Sequence, residues 1–181
     1  MSTEENDPSQ GALAEYASLR GEIATRINLQ HQVIALHMTA VSVVFSVTLT
    51  SQDRWPMLLV IPFISYVSSE SMATLFRTVD AIATYINDEL SPKVNGGLGW
   101  ESWLKQNRPD SEAKKLTHPY YLLFPGTSIV ALVATASLAA ASIEGVKDID
   151  ASSWVVAASW PLAATATWLS YKAIRELRAP F

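Results

Sequence analysis

Two polar residues, His37 and Glu70, lie inside long apolar stretches of the sequence. An ionised carboxylate within a membrane is costly, so it usually faces protein or water and marks a functional position. With an imidazole as its partner, such a glutamate would relay protons or line an ion path. The alternative interpretation is structural: a hydrogen-bonded pair, or a glutamate near enough to the interface to stay hydrated. Neighbouring serines favour a polar helix face under either interpretation, at Ser65, Ser68, Ser69 and Ser71.

The sequence contains few other groups that could carry a reaction. It has no cysteine, which excludes disulfides, thiol catalysis and cysteine-bound metals. His31 and His37 are six residues apart and so point to different faces of a helix, which argues against a metal site. The glycines after Asn95 indicate a turn, because no Lys-Ser or Lys-Thr follows them as in a phosphate-binding loop. We therefore predict no catalytic residue, no metal and no cofactor.

Charge and hydropathy are unevenly distributed along the chain. Its 181 residues include 17 acidic and 13 basic side chains, which gives a formal net charge of −4. No basic face emerges that would neutralise a nucleic-acid backbone, so nucleic acid is not an expected partner. The hydrophobic residues, 49% of the chain, are concentrated in blocks with the charges between them. Such segregation is typical of an integral membrane protein, whose first partner is the lipid bilayer.

Four apolar blocks are long enough to cross a bilayer, at about residues 32–50, 55–76, 119–143 and 153–171. Roughly 20 apolar residues of helix span the hydrocarbon core. Aromatic residues mark the ends of several blocks, as they do at membrane interfaces. The sequence thus predicts an all-α fold, a polytopic membrane helical bundle with four transmembrane helices. The alternative is a soluble bundle that uses the same helices as its core.

The first two membrane helices are predicted to extend beyond the bilayer as a cytoplasmic antiparallel helical hairpin. Apolar residues continue at helical spacing past the second block as far as Leu90, and Ser91-Pro92 then ends the helix. A tight loop after the first block folds the two helices against each other. This arrangement places Arg26 beside Asp80 as a surface ion pair outside the membrane.

The register of this hairpin also predicts the surroundings of the intramembrane histidine. Folding the sequence about residue 53 brings His37 beside Ser69 and Glu70. Glu70 lies about 22 Å from the start of the second block at the helical rise, which places it in the inner leaflet. We therefore expect His37 and Glu70 to form one site.

Composition divides the chain into three regions. Residues 1–10 are polar and are predicted to be a disordered tail. Residues 11–118 form the long hairpin, its stalk and a connecting loop, and residues 119–181 form the third and fourth spans with a basic tail. Within the loop, residues 97–106 are typical of a short amphipathic helix at the bilayer surface. Its Glu101 is a further candidate polar residue.

Lysine and arginine residues lie almost entirely on one side of the predicted membrane. Eleven of the 13 are in the N-terminal segment, the stalk with its connecting loop, and the C-terminal tail, whereas the short loops hold only Arg54 and Lys147. The positive-inside rule therefore places both termini in the cytoplasm, in a multi-pass protein of the cell (inner) membrane. The alanine-rich third and fourth spans allow close helix approach, which favours either packing on each other or a homo-oligomer.

Three motifs of the hairpin region are distinctive. The first helix carries Glu15-Tyr16, Leu19-Arg20, Glu22-Ile23, Arg26-Ile27 and Gln30, the second carries Tyr85-Ile86, and the connecting loop carries Leu98-Gly99-Trp100-Glu101. Together, over roughly residues 12–104, they resemble a family of small uncharacterised bacterial multi-pass membrane proteins with four helices. The resemblance implies a topology and no particular activity.

The favoured hypothesis is a non-enzymatic integral membrane protein, an oligomeric scaffold or interaction protein that uses its stalk to bind a cytoplasmic protein partner. A well-patterned cytoplasmic region without a catalytic set of residues motivates it. The alternative is an ion channel or membrane-permeabilising effector in which Glu70 and His37 are polar intramembrane residues. A second alternative is a membrane-embedded enzyme acting on lipid, with Glu70, His37 and Glu101 as acid–base groups.

Overall fold

The described part of the chain is built from helices and turns. The computed structural model describes residues 8–94, 96–107, 119–143 and 151–177, and it shows an all-α protein without a strand among these residues. The α-helices found there are α1 (Pro8–Thr48), α2 (Ile61–Tyr85), α3 (Gly99–Asn107), α4 (Thr127–Ile143) and α5 (Ala151–Glu176). Tighter 3-10 turns occur at Gln52–Val60 and Ser91–Lys93, and wider π turns at Ile86–Leu90 and Leu122–Gly126. The predicted all-α class is confirmed.

Helix α1 is 41 residues long and begins earlier than the sequence predicts. It starts at Pro8, inside the region 1–10 that the sequence predicts as a disordered tail, and residues 1–7 lie outside the described part. Proline is favoured in the first turn of a helix, because its missing N–H would have no partner there and its fixed φ suits the helix. Just past the other end, the hydroxyl of Thr50 donates to the carbonyl of Val47 at 2.7 Å and satisfies one of the last carbonyls.

Helix α2 is the centre of the bundle, since α1, α4 and α5 all pack against it. A 3-10 segment over Gln52–Val60 precedes it and contains Pro56. The regular α-helix begins only at Ile61, with Pro62 in its first turn. Two prolines near the start therefore delay the α-helix relative to the apolar block, which opens at Trp55.

Two apolar clusters hold α2 to its neighbours, and they lie one above the other along the bundle. We call the one nearer the loop at Gln52–Val60 the first apolar cluster; its buried members are Val41, Leu58, Ile61 and Ala131. The second apolar cluster contains Met72, Phe124 and Ile174, all fully buried. Between membrane helices such contacts stabilise by close van der Waals packing rather than by removal of surface from water.

The start of α1 packs along the end of α2 and forms a third cluster, the stalk cluster. Its buried members are Ala12, Ile23, Ile86 and Leu90. Nearby, the hydroxyl of Tyr85 donates to a carboxylate oxygen of Glu15 at 2.8 Å, and this hydrogen bond raises the pKa of the Tyr85 phenol. We call residues 8–30 and 77–93 the stalk. Its helical path ends with the 3-10 turn at Ser91–Lys93, where the sequence places the helix end.

Helix α3 is fastened to the far end of the stalk. The backbone N–H of Leu98 donates to Ser91 Oγ at 2.8 Å, and the Leu98 side chain packs against the stalk cluster. Trp100 and Trp103 stack on each other with ring centroids 5.5 Å apart, and both remain more than half exposed. The tip of the stalk therefore presents an aromatic surface.

The surface of the bundle beyond the stalk is apolar. Large hydrophobic side chains are exposed on α1, on α2 and the turn before it, on α4 and on α5, at Leu36, Val43, Val60, Val67, Ile129, Val130, Val133 and Leu162. Proteins dissolved in water rarely expose apolar surface of this extent. Three helical segments are long and apolar enough to cross a membrane, Ser9–Thr48, Asp53–Lys93 and Pro119–Ala140. Helix α5 is not among these described segments, so the predicted fourth span is not confirmed.

Replacing Ile86 by alanine should lower the free energy of unfolding by about 2–5 kcal/mol, because it leaves a cavity in the fully buried stalk cluster. Loss of helical circular dichroism in denaturant, measured on detergent-purified protein, gives that free energy. The matched control is Leu13→Ala, also on the stalk, where the side chain is 46% exposed. This control should change stability by less than about 0.5 kcal/mol. Equal effects of the two substitutions would contradict the described packing.

Candidate functional site

A layer of polar side chains lies between the first and second apolar clusters, and we call it the polar layer. Its members come from α1, α2, α4 and α5, at His37, Ser65, Ser68, Ser69, Thr127 and Ser170. His37 is only 1% exposed, and Ser65, Ser69 and Ser170 are fully buried. Polar groups in apolar surroundings must hydrogen-bond with one another. Accordingly, every buried side-chain nitrogen and oxygen of the described residues has a partner.

The imidazole of His37 is the centre of this layer. Its Nδ1 lies 3.3 Å from Ser68 Oγ on α2, and its Nε2 lies 3.3 Å from Thr127 Oγ1 at the start of α4. The ring of Phe124 meets it edge to face, with centroids 4.9 Å apart and an interplanar angle of 77°. One side chain of α1 therefore contacts two other helices at once, which constrains how α1 can pack.

Thr127 reaches the imidazole from the end of the π turn at Leu122–Gly126. Pro125 within that turn has no N–H with which to continue the regular α-helical pattern. The hydroxyl of Thr127 donates back into the turn, to the carbonyl oxygens of Leu123 at 2.6 Å and Phe124 at 3.0 Å. The same hydroxyl group thus bonds carbonyls of the turn and faces the imidazole. Wide turns of this kind are frequent at functional sites.

Two serines extend the network from Thr127 to α5. Ser65 Oγ lies 3.3 Å from Thr127 Oγ1, and the hydroxyl of Ser170 donates to the backbone carbonyl of Ser65 at 3.4 Å. Ser69 is satisfied within its own helix, since its hydroxyl donates to the carbonyl of Tyr66 at 2.9 Å. Hydrogen bonds of the polar layer therefore connect all four long helices.

The contacts of the two ring nitrogens favour one tautomer of His37. Thr127 has one hydroxyl proton, which we assign to the carbonyl of Leu123 because that contact, at 2.6 Å, is its shortest, and its oxygen then accepts from the imidazole. Nε2 therefore carries the ring proton, and Nδ1 accepts from the hydroxyl of Ser68. This assignment describes the neutral imidazole, which places no charge in the layer.

The structure does not form the predicted pair of His37 and Glu70. Both ring nitrogens of His37 contact hydroxyl groups, and the partner on α2 is Ser68, one residue before the predicted Ser69. Glu70 is half-buried elsewhere on α2. Two consecutive steps along a helix turn the side chain by about 200°, so an imidazole that faces Ser68 does not face Glu70.

The other predicted polar residues lie outside the polar layer. Arg26 pairs with Glu22 on the same helix, with 2.6 Å between Nη2 and Oε1, in place of the predicted Asp80. A pair four residues apart forms within one helix, whereas the predicted pair needs an accurate register between two helices. Asp80 is exposed on α2. Glu101 lies near the start of α3, and its side chain is outside the described part of the structure.

The sequence does not identify Thr127 and Ser170 as site residues. A local signal exists for Thr127, which directly follows Pro125-Gly126, because a threonine hydroxyl in a helix can donate to the carbonyl three or four residues before it. Ser170 has no such signal, because its partner is a carbonyl of α2 and only the packing of α5 brings the two together.

The polar layer joins α1, α2, α4 and α5 by hydrogen bonds, and its described residues do not form a hydrolase triad or a metal site. Ser68 and His37 make a serine–histidine contact, yet no carboxylate of the described residues orients the imidazole as in a hydrolase triad. An imidazole that is 1% exposed also leaves no access for a substrate. Nor do the described residues group three His, Asp or Glu side chains in a way that would hold a metal ion.

Fold and site together define an all-α protein with three helices long and apolar enough to cross a membrane, packed around a buried polar layer. Comparison of the chain with protein-family models, with curated proteins and with solved structures gave no match. The resemblance of the hairpin motifs to small bacterial multi-pass proteins therefore stays a prediction.

Replacing Thr127 by valine removes the hydroxyl that faces the imidazole and the turn while keeping a side chain of similar shape. We expect the free energy of unfolding to fall by about 1–3 kcal/mol, because buried partners lose their hydrogen bonds. Denaturant unfolding in detergent, followed by circular dichroism, measures the change. The control is Thr165→Val on α5, whose exposed hydroxyl donates only to the carbonyl of Pro161. A Thr127→Val protein as stable as this control would show that the network does not hold the bundle.

Proposed function

We propose that the chain is a non-enzymatic integral membrane protein, an oligomeric scaffold or interaction protein that binds a partner through a cytoplasmic helical stalk. The observation that carries this proposal is the continuity of α1 and α2. Each runs from the apolar-surfaced bundle into the charged stalk, where the stalk cluster gives the helix pair a core of its own. A helix pair secured in this way holds a binding surface at a fixed distance from the membrane.

The proposed topology has four spans, the first two of which form the hairpin. Helix α5 serves as the fourth span, because its 26 residues extend about 39 Å. It packs against α2 and supplies Ser170 to the polar layer. Its exposed Leu162 and Trp168 suit an apolar environment. The one-sided distribution of lysine and arginine supports cytoplasmic termini in the cell (inner) membrane.

The stalk carries exposed apolar side chains away from the proposed membrane. Leu13 and Ile27 are 46% and 43% exposed, and they lie about four helical turns apart on one side of α1. At the tip, Trp100 and Trp103 add an exposed aromatic pair. Aromatic residues are enriched at protein–protein interfaces and dominate their energetics. These groups support a cytoplasmic protein as the partner.

The sequence predicts that α3 lies on the bilayer surface. Its position in the structure instead supports a role in binding a soluble partner. Helix α3 contacts the π turn at Ile86–Leu90. This turn is about 15–20 Å beyond Phe76, where the second span is proposed to end. The tryptophan pair of an upright stalk is therefore held away from the chain's own membrane.

The channel and enzyme alternatives have less support from the geometry. The polar layer is closed on one side by Leu58 and Ile61 and on the other by Met72 and Phe124, all of them buried. An ion path through one copy of the chain would need polar groups or water across both apolar clusters. A lipid-directed enzyme would need access to His37, which is buried.

Topology can be tested with single cysteines, because the chain has none of its own. Arg54→Cys in the loop after α1 and Glu89→Cys on the stalk both occupy exposed positions. A membrane-impermeant maleimide added to intact spheroplasts should label Arg54→Cys and leave Glu89→Cys unlabelled. Lysis should make both reactive. Labelling of Glu89→Cys before lysis would contradict the proposed orientation.

Cross-linking in living cells, with a photoreactive phenylalanine analogue incorporated at single positions of the chain, tests the proposed partner. At Leu13 or Ile27 it should give a discrete cross-linked protein, identified by mass spectrometry, because these side chains are exposed on the stalk. At Val133 of α4, exposed on the apolar surface, it should mainly contact lipid and give no such product. If the chain stays a monomer without cross-links at both stalk positions, the interaction hypothesis is contradicted. A product that contains only this chain would identify a homo-oligomer.

A further inference from the structure

We propose that Nδ1 of His37 is a proton-binding site inside the bundle, and that its occupation releases α1 from α4. This site lies in the polar layer, apart from the stalk, so it does not depend on what the stalk binds. In the neutral network Nδ1 is an acceptor, with the hydroxyl of Ser68 at 3.3 Å. Nε2 already donates to Thr127, so Nδ1 is the one ring position where a further proton can be added.

Protonation of Nδ1 would make the ring a cation with two N–H donors. Ser68 can adapt by turning its own hydroxyl toward the backbone, as Ser71 does when it donates to the carbonyl of Val67 at 2.8 Å. The hydrogen bond is therefore easily rebuilt, but the charge is not neutralised. The groups that contact the ring are two hydroxyls and the Phe124 ring, with the Leu123 carbonyl as a further acceptor. A buried cation without a carboxylate is strongly unfavourable.

The titratable groups on the packed helices do not offset this charge. On α2 the nearest carboxylate along the chain is Glu70, which is turned about 200° from Ser68 around the helix. The segment before α4 and helix α5 present phenols, which carry no charge near neutral pH, at Tyr120, Tyr121 and Tyr171. On α1 itself, His31 is exposed and on another face.

Helix α1 is the element best able to respond. Only 17% of its apolar span is buried, against 44% for the segment that contains α2. Apart from the polar layer, α1 and α4 share the first apolar cluster, to which they contribute Val41 and Ala131. The unpaired charge, rather than a lost donor, drives the change: α1 tilts outward so that water hydrates the cation, and the hydrogen bond between His37 and Thr127 is broken by that movement. Helices α2, α4 and α5 stay packed on one another.

Spin labels on α1 and α4 test this directly, since no native cysteine competes for the label. Val43→Cys and Val130→Cys both lie on exposed positions of their helices. The doubly labelled chain is reconstituted in nanodiscs, and distance distributions are recorded by double electron–electron resonance at about pH 8 and about pH 4.5, on either side of an ordinary histidine titration. We expect a longer and broader distance population at the lower pH that disappears when the pH is raised again.

Two variants separate His37 from general effects of acid. His37→Gln keeps hydrogen-bonding groups but gains no charge, so its distance distribution should be the same at both pH values. His31→Gln changes an exposed histidine of the same helix and should keep the full response. The proposal is overturned if the distance distribution of the doubly labelled chain with His37 intact is the same at both pH values. It is also overturned if the shift in distance persists in His37→Gln.

A second measurement covers the case in which His37→Gln does not fold. Nitrogen-15 NMR of histidine-labelled protein reports whether each imidazole carries one proton or two. We expect the His37 ring to change from the Nε2–H form to the doubly protonated form over the same pH range in which the helices separate. A ring that stays neutral while the distance changes would overturn the proposal as firmly.

Discussion

The contact between His37 and Thr127 is the interaction on which the arrangement of the long helices depends, and Thr127 lies just after Pro125. Pro125 has no N–H and lies within the π turn at Leu122–Gly126, and the hydroxyl of Thr127 donates to carbonyls of that turn. With its proton used there, Thr127 can only accept from His37, and the imidazole in turn fixes α1 against two other helices. The hydroxyl of one threonine is thereby linked to the tertiary arrangement of four helices.

The polar layer and the apolar clusters have complementary roles. Apolar contacts such as those of Leu58 and Met72 hold membrane helices together but tolerate rotation about the helix axis, since packing alone is weakly directional. Hydrogen bonds require particular partners. His37 therefore sets the rotation of α1 and Ser170 that of α5, and both do so against serines of α2. Helix α2 is the reference to which the other helices are aligned.

Local patterns in the sequence predict the helices because the spacing of apolar residues depends on one helix alone. The apolar runs predict the three confirmed membrane-length segments, whereas α5 is diluted by polar and aromatic residues. His37 is predictable because an imidazole within an apolar run is conspicuous. Its partners are not, since a register known only to within a turn cannot separate Ser68 from Glu70, and Thr127 lies 90 residues away. Arg26 shows the same limit, because a local partner outcompetes a distant one.

Because α1 is long, a small change in its tilt produces a large displacement at its N-terminal end. Its 41 residues extend about 60 Å, and roughly 44 Å of this lies between His37 and the first turn at Pro8. A rigid tilt of about 5° around the imidazole would displace that turn by about 4 Å, if the helix stays straight over this length. A movement small enough to preserve most contacts of the bundle is therefore magnified, at the opposite end, to the size of a side chain.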